Sequence, residues 1–258
     1  MLQRFWSQNC ETSQIYDYIQ YQIDSFNRLS GSLEGYNCSI CNNKGKVAFL
    51  YDNDMAIKNC ACISIRNNLK NIEESGLKDL INNCTFDNFN VTEEWQKQLK
   101  ELAQRYTEDK EIMWFNIGGQ VGCGKTHICT AITSYYMSQH KTAKYMLWRD
   151  DAVRIKGKIN TDAYDRELNK LKNVKVLYID DLFKSDSGRV PTAADVNLAF
   201  EILNYRYNNK KLRTIISSEF MIDELLEIDE ALGSRIYQRT KDYCIFIGRD
   251  KGKNYRLK

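Results

Sequence analysis

From residue 111 onward, short apolar runs alternate with helical stretches, and this alternation limits the fold more than any other feature. Between the runs, apolar side chains such as Ile128, Ile132 and Tyr135 recur at helical spacing. Strands that alternate with helices predict an α/β fold, with a five-stranded parallel sheet covered by helices on both faces. The predicted strands cover residues 112–117, 143–148, 174–179, 213–218 and 243–248.

The segment GGQVGCGKTH connects the first predicted strand to a predicted helix, and Gly119–Thr126 fits the pattern G-x-x-x-x-G-K-[ST]. In such a P-loop, backbone N–H groups and the helix N-terminus surround the phosphates of a nucleotide. Lys125 would neutralise the β- and γ-phosphates, and the Thr126 hydroxyl would bind Mg²⁺. The sequence therefore predicts an ATP site at Gly119, Gly122, Cys123, Gly124, Lys125, Thr126 and His127.

Two acidic residues, Asp180 and Asp181, end the apolar run VKVLYIDDL. Taken alone, such a pair is typical of a solvated turn. Downstream of a P-loop, we expect Asp180 to hold Mg²⁺ through water and Asp181 to orient or deprotonate the attacking water. This arrangement predicts a Mg²⁺-dependent ATPase that is slow when alone.

Four cysteines ahead of the P-loop form two close pairs, Cys38-x-x-Cys41 and Cys60-x-Cys62. Thiolates at this spacing predict a structural, tetrahedral Zn²⁺ site, and free thiols in an irregular region are the alternative. We therefore expect a helical and zinc-binding module over residues 1–75 and an ATPase domain over residues 76–258. The odd total of nine cysteines, with no run of 18 apolar residues, favours a reduced, cytoplasmic chain without membrane insertion.

The formal net charge of +3 shows no global basicity, so any contact with nucleic acid must come from a local patch. Arg154, Lys156 and Lys158 form one candidate patch for single-stranded DNA. Lys184 and Arg189, which flank a Gly-Ser loop after Asp181, form another. Solvated surface charge is the alternative for both.

Several further segments bring a known family into view. These are TFDNF (85–89), WQKQLK (95–100), TIISSEF (214–220), LGSRIYQRT (232–240) and the closing GKNYRLK. Together with the P-loop and the cysteine cluster, they make residues 36–258 resemble the AAA+ ATPases of the DnaC/DnaI helicase-loader group, especially the phage-encoded versions.

The resemblance implies roles for residues outside the P-loop. Phe86 and Phe89 match the segment that flanks the adenine, although each could be an ordinary core aromatic. Ser218, or Ser217 in its place, matches the sensor of the γ-phosphate, while Glu219 stands where the family usually has Asn. Arg235 matches the arginine that reaches the nucleotide of a neighbouring subunit.

The same resemblance implies the partners. It predicts self-assembly through an AAA+ domain without a C-terminal lid, and a zinc module that contacts the replicative DNA helicase. The expected function is an ATP-dependent helicase loader that also binds single-stranded DNA. Two alternatives stay open: an IstB-type ATPase that stimulates a DNA transposase, and a non-hydrolysing, zinc-dependent interaction module.

Overall fold

The computed structural model describes residues 2–75, 78–139, 141–185 and 190–255. The chain packs into two compact units, Met1–Leu69 and Lys70–Lys258. Among the described residues, no helix combines the length and the apolar character needed to span a membrane.

The first unit contains a long helix, and it also contains a β-hairpin that the sequence pattern did not predict. Helix α1 covers Leu2–Arg28, and the antiparallel strands β1 (Lys46–Tyr51) and β2 (Asp54–Asn59) follow. Asp52 and Asn53 turn the hairpin at φ values of 50° and 59°, a conformation that Asp and Asn tolerate better than most residues. Ile19 and Ile23 of α1 pack against Ala48 of β1, so a small apolar cluster joins these elements.

Between residues 62 and 83 the structure describes two helical segments. Helix α2 covers Cys62–Ser75 and α3 covers Lys78–Asn83, with residues 76–77 outside the described ranges. Helix α4 covers Glu94–Glu108, and its first turn is closed by a capping box between Glu93 and Gln96.

The second unit continues with alternating strands and helices. The strands are β3 (Trp114–Gly119), β4 (Ala143–Leu147), β5 (Val176–Leu182), β6 (Arg213–Ser218) and β7 (Cys244–Ile247). The helices are α5 (Lys125–Ser138), α6 (Trp148–Lys156), α7 (Asp162–Asn173), α8 (Ala193–Asn208), α9 (Ile222–Ile228) and α10 (Glu230–Thr240), with 3₁₀ turns at Lys241–Tyr243 and Lys251–Lys253.

The five strands of the second unit form one parallel sheet in the order β4-β5-β6-β3-β7. Successive residues of β3 point to opposite faces, so Trp114 belongs to one apolar core and Phe115 to the other. The predicted α/β class is therefore confirmed. In open parallel sheets, ligands bind at the carboxyl ends of the strands, and the loop after β3 lies at this edge.

Candidate nucleotide site and metal centre

The loop between β3 and α5 takes a backbone conformation that requires glycine. Gly119, Gly122 and Gly124 have φ values of 131°, 78° and 89°. A Cβ atom on Gly119 would lie 2.2 Å from the carbonyl oxygen of Ile247, and one on Gly122 would lie 2.0 Å from the side-chain oxygen of Asn254. The glycine spacing of the sequence motif thus reflects both dihedral freedom and close packing.

Lys125 and Thr126 open helix α5, where the unpaired N–H groups favour an anion. Lys125 is only 5% exposed, and its Nζ donates hydrogen bonds to the carbonyl oxygens of Gly119 (2.7 Å) and Gln120 (2.8 Å). The lysine therefore closes the loop around its own ammonium group. A positive charge is fixed where the phosphates of a nucleotide would enter.

Asp180 lies at the end of β5 and is 3% exposed. Both of its carboxylate oxygens lie 3.3 Å from the Thr126 hydroxyl, Tyr145 donates a hydrogen bond of 2.9 Å, and Ser217 donates another. Burial, and then the Asp180 charge, raise the pKa of Tyr145, so its phenol stays a hydrogen-bond donor. Hydroxyl and carboxylate oxygens suit Mg²⁺, and Thr126 and Asp180 fit this ion.

Asp181 lies within a register irregularity of the β5–β6 pair, between Ile179 and Leu182, and has a φ of 54°. Its backbone N–H donates to the Ser217 hydroxyl at 2.9 Å, and its carboxylate lies 2.8 Å from Lys184 Nζ. Lys184 also lies 2.8 Å from a carboxylate oxygen of Glu219. Burial alone would lower the pKa of Lys184, but the hydrogen bonds from Lys184 to these carboxylates raise it.

A cavity of about 330 Å³ is lined by Lys125 and Thr126 together with Asp181, Lys184 and Glu219. One part of its wall is aromatic: the Phe89 ring lies 5.2 Å from the His127 ring and 6.2 Å from the Tyr255 ring, centroid to centroid. Phe86 is half-buried against the core and does not line the cavity. The lining residues are Asn88, Phe89, Asn90, Val121, Gly122, Gly124, Lys125, Thr126, His127, Asp181, Lys184, Glu219 and Tyr255.

The two serines of β6 face different surroundings. Ser218 is fully buried, and its hydroxyl donates to the Leu182 carbonyl oxygen at 2.9 Å. Ser217 instead contacts Asp180 and Asp181. Ser218, the serine first predicted as the sensor, therefore bonds to the backbone. Ser217 lies beside Asp180 and Asp181, and Glu219 lines the cavity.

Arg235 lies on α10 and is not among the residues that line the cavity. Its guanidinium packs over the rings of Phe200 (5.1 Å) and Tyr207 (5.5 Å) and donates to the Ala231 carbonyl oxygen at 2.7 Å. The structure therefore separates Arg235 from the P-loop of its own chain, as a residue acting on a neighbour's nucleotide would require.

The predicted DNA-binding residues lie at the end of α6 and just after it, and each is paired with a carboxylate. Arg154 lies 2.7 Å from Asp151, Lys156 contacts Asp195, and Lys158 lies 4.0 Å from Glu167. These pairs reduce the net charge offered to a phosphate backbone. In the second patch, Arg189 lies outside the described residues, and Lys184 belongs to the nucleotide cavity.

The structure brings the four cysteines of the first unit together. All four sulfur atoms lie within 4.8 Å of one another, with 3.8 Å between Cys38 and Cys60 and 3.4 Å between Cys41 and Cys62. Tetrahedral zinc with bonds of about 2.3 Å places its sulfur ligands about 3.8 Å apart. Burial opposes the Cys41 thiolate, but an N–H bond from Gly45 and the neighbouring thiols lower the pKa of Cys41 to about 7. The cluster can hold zinc.

Among the residues at the nucleotide site that were given no role there from the sequence are Tyr145, Lys184 and Tyr255. Tyr145 lies in β4 and contacts Asp180 from the neighbouring strand. Tyr255 donates its backbone N–H to the Gly122 carbonyl oxygen at 2.9 Å, far along the chain. The sequence analysis placed Lys184 in a DNA-binding patch. Its spacing of three residues from Asp181 could have indicated that it lies at the nucleotide site.

The sheet order, the glycine loop and the Thr126–Asp180 contact define a P-loop nucleotide-binding domain of the AAA+ type. Within that class, residues 57–258 match the family model of the IstB-like ATP binding protein, and the chain belongs to this family. The family implies ATP binding.

Curated relatives support the same assignment. The chain is 35% identical to the uncharacterized protein YqaM of Bacillus subtilis over 217 residues, which cover 79% of this chain and 68% of that protein. It is 30% identical to the phage-like element PBSX protein XkdC of the same organism, and the match covers 86% of this chain and 85% of XkdC. It is 25% identical to the replicative helicase loader DnaC of Escherichia coli K12, covering 67% and 69%.

Solved structures share the fold. The DnaI structure superposes with a TM-score of 0.54 at 18% identity, covering 66% of this chain and 93% of DnaI. The DnaC helicase loader superposes with a TM-score of 0.53 at 20% identity, covering 65% and 97%. The predicted kinship with the DnaC/DnaI group is therefore confirmed, and XkdC supports the predicted phage origin.

Proposed function

We propose that this protein is an ATP-dependent loader of a replicative DNA helicase that also binds single-stranded DNA during replication initiation. The observation that carries the proposal is the homology to the replicative helicase loader DnaC over two thirds of both chains. The P-loop, Asp180 and the cysteine cluster are the parts that such an adaptor would use.

ATP hydrolysis would take place in the cavity after β3. Lys125 would meet the β- and γ-phosphates, and Thr126 and Asp180 would hold Mg²⁺, which would supply charge neutralisation at the phosphates. Asp181 orients the attacking water, and Ser217 holds the two aspartates in register through its bonds to both. The buried setting strengthens each of these electrostatic contacts.

The adenine would lie at the aromatic part of the wall. Phe89 and His127 present their rings there, and Tyr255 adds a third ring from the end of the chain. The Tyr255 hydroxyl donates to the Asn90 carbonyl oxygen at 2.9 Å, which ties this ring to the segment after Phe89. Phe86 would act from behind, by supporting Phe89.

Residues 1–75 would form the helicase-interacting module and residues 76–258 the ATPase domain. Zinc bound by Cys38, Cys41, Cys60 and Cys62 would be structural, because four thiolates leave no open coordination position. Assembly through the ATPase domain would bring Arg235 to the nucleotide of the next subunit.

Single-stranded DNA would contact Arg154, Lys156 and Lys158. Their carboxylate partners mean that DNA phosphates must displace existing ion pairs, so this contact is expected to be weak and sensitive to salt. Arg154 is 46% exposed and is the most accessible of the three side chains.

A second candidate is an IstB-type ATPase that stimulates a transposase and acts on duplex DNA. The family match to the IstB-like ATP binding protein favours it. The cysteine cluster ahead of the ATPase favours the loader, since that module resembles the one of DnaI-type proteins. The third alternative, a non-hydrolysing interaction module, fits poorly with the Lys125 and Thr126–Asp180 geometry.

The test is complex formation with the purified replicative helicase of the host, measured by size-exclusion chromatography with light scattering in ATP. A loader is expected to form a stable complex and to bind single-stranded oligonucleotides more tightly than duplexes of equal length. Lys125→Ala is the control that removes nucleotide binding. Duplex binding without a helicase complex would favour the transposase helper, and a helicase complex unchanged by Lys125→Ala would remove the ATP dependence.

A further inference from the structure

The phosphate end of the cavity contains more negative charge than a nucleotide site would be expected to offer. Asp181 and Glu219 both line it, and Thr126 and Asp180 mark this end through their mutual contact. Two carboxylates beside the terminal phosphate of ATP would repel it, because like charges in a partly buried site interact strongly.

Lys184 lies between these two carboxylates. Its Nζ is 2.8 Å from Asp181 and 2.8 Å from Glu219, and its side chain is 30% exposed. Apart from His127, the charged side chains among the described lining residues are two lysines, Lys125 and Lys184, and these two carboxylates. Their formal charges sum to zero, and removing Lys184 alone would leave a net charge of −1.

We propose that Lys184 is a further specificity-determining residue, which recognises the γ-phosphate and so discriminates ATP from ADP. Its ammonium has three donors, and it can exchange one carboxylate for a phosphate oxygen while the other carboxylate keeps it in the cavity. Lys125 cannot supply this contact alone, since it also holds the carbonyl oxygens of Gly119 and Gln120. This inference rests on the proposed ATPase function.

The exchange also links recognition to hydrolysis. While Lys184 holds the Asp181 carboxylate, one oxygen of that carboxylate is occupied. When Lys184 turns to a γ-phosphate, that oxygen becomes available to orient the attacking water. ADP has no phosphate at this position, so the ion pair between Lys184 and Asp181 persists.

The experiment measures the dissociation constants of fluorescent ATP and ADP analogues with Mg²⁺, for the full chain and three variants. Lys184→Met removes the charge and nearly keeps the volume, and Lys184→Gln replaces it should the methionine variant fail to fold. Glu219→Gln breaks the same ion pair from the other side but keeps an oxygen acceptor for Lys184. The matched control is Lys172→Met, which breaks the 2.7 Å ion pair with Glu201 away from the cavity.

We expect Lys184→Met to raise the dissociation constant for ATP about tenfold or more, since one contact to a charged group is lost. The dissociation constant for ADP should stay within about twofold of the wild-type value. Glu219→Gln should keep or raise the preference for ATP, because a repelling carboxylate is removed. If the ion pair were purely structural, Lys184→Met and Glu219→Gln would change nucleotide affinity in the same direction. The proposal would therefore be overturned if Lys184→Met lost equal affinity for ATP and ADP, or if both variants lowered the preference for ATP over ADP. So would an unchanged preference in Lys184→Met.

The wild-type chain separates this proposal from the function on which it rests. If the wild type binds neither analogue, the ATPase proposal fails, and the role of Lys184 fails with it. If the wild type and Lys172→Met prefer ATP and Lys184→Met keeps that preference, only the role of Lys184 fails.

Discussion

Replacing Arg235 by alanine separates an arginine that acts on a neighbour's nucleotide from one that only stabilises the fold. In the structure, its guanidinium packs over Phe200 and Tyr207 and donates to the Ala231 carbonyl oxygen. These contacts give the side chain a structural value of its own, so a loss of activity alone would prove little. The size of each effect decides between the two roles.

The structural contribution can be worked out from these contacts. Two partly exposed cation–π contacts contribute about 0.5–1 kcal/mol each, and one charged hydrogen bond contributes about 1.5 kcal/mol at the low end of its range. Arg235→Ala should therefore cost about 2.5–3.5 kcal/mol of folding free energy. In a domain of this size, that lowers the Tm by roughly 5–14 °C. An arginine that stabilises the transition state contributes about 10³–10⁵ in rate.

The chain offers a matched control on the same helix. Arg239 lies one turn further along α10, with its guanidinium 4.8 Å from the Tyr207 ring and a hydrogen bond to the Tyr207 carbonyl oxygen. Arg239→Ala should lower the Tm by a similar amount and leave ATP turnover within about threefold of the wild type. Only Arg235→Ala should lose at least about 10³ in turnover while still binding ATP.

The assay is steady-state ATP hydrolysis with the helicase and single-stranded DNA present, so that subunits can assemble. Adding Lys125→Ala subunits to Arg235→Ala should restore part of the activity, because the added chain donates an intact arginine to the mutant's nucleotide. Arg235 has no special role at a neighbour's nucleotide if Arg239→Ala loses as much turnover as Arg235→Ala. The same holds if mixing restores nothing while light scattering shows assembly.

Three further outcomes are expected. Lys125→Ala should abolish binding of labelled ATP, whereas Asp180→Asn should bind ATP yet lose about 100-fold or more in turnover, because Mg²⁺ positioning is lost; isothermal titration and phosphate release measure the two. Metal analysis should find about one zinc per chain, and Cys60→Ser or a chelator should unfold residues 36–62, seen by hydrogen exchange, while the ATPase core stays folded. Ser217→Ala should lower turnover about tenfold or more, whereas Ser218→Ala should lower only the Tm, since its hydroxyl bonds a backbone carbonyl; the reverse result would restore Ser218 as the sensor.

The sequence alone was enough to predict the parallel sheet. Each predicted strand agrees with an observed one to within three residues at either end, because a strand buried on both faces is a continuous apolar run. The P-loop could also be recognised from the sequence. Its glycines are required by the local backbone conformation and by close packing, so they recur at a fixed spacing. The cysteine pairs also stand out because few residue types bind zinc.

The hairpin β1–β2 was missed for a local reason. Each strand is six residues long, and β1 contains the apolar run VAFLY, but β2 is mostly exposed and has no such run, so only one strand of the pair was marked. The turn at Asp52 and Asn53 was the available signal, and its flanking alternation was short.

The tertiary structure alone decided which groups meet around the cavity after β3. The alternation of side chains along β6 directs Ser217 toward the aspartates and Ser218 toward the Leu182 carbonyl, and a one-residue shift of register would exchange them. Lys184 and Glu219 meet because two sheet neighbours end side by side, and Tyr255 reaches Gly122 from more than 130 residues along the chain. Periodicity reports which face a residue presents within its own element; it carries no information about which distant element packs there, because that choice is made by the whole sheet.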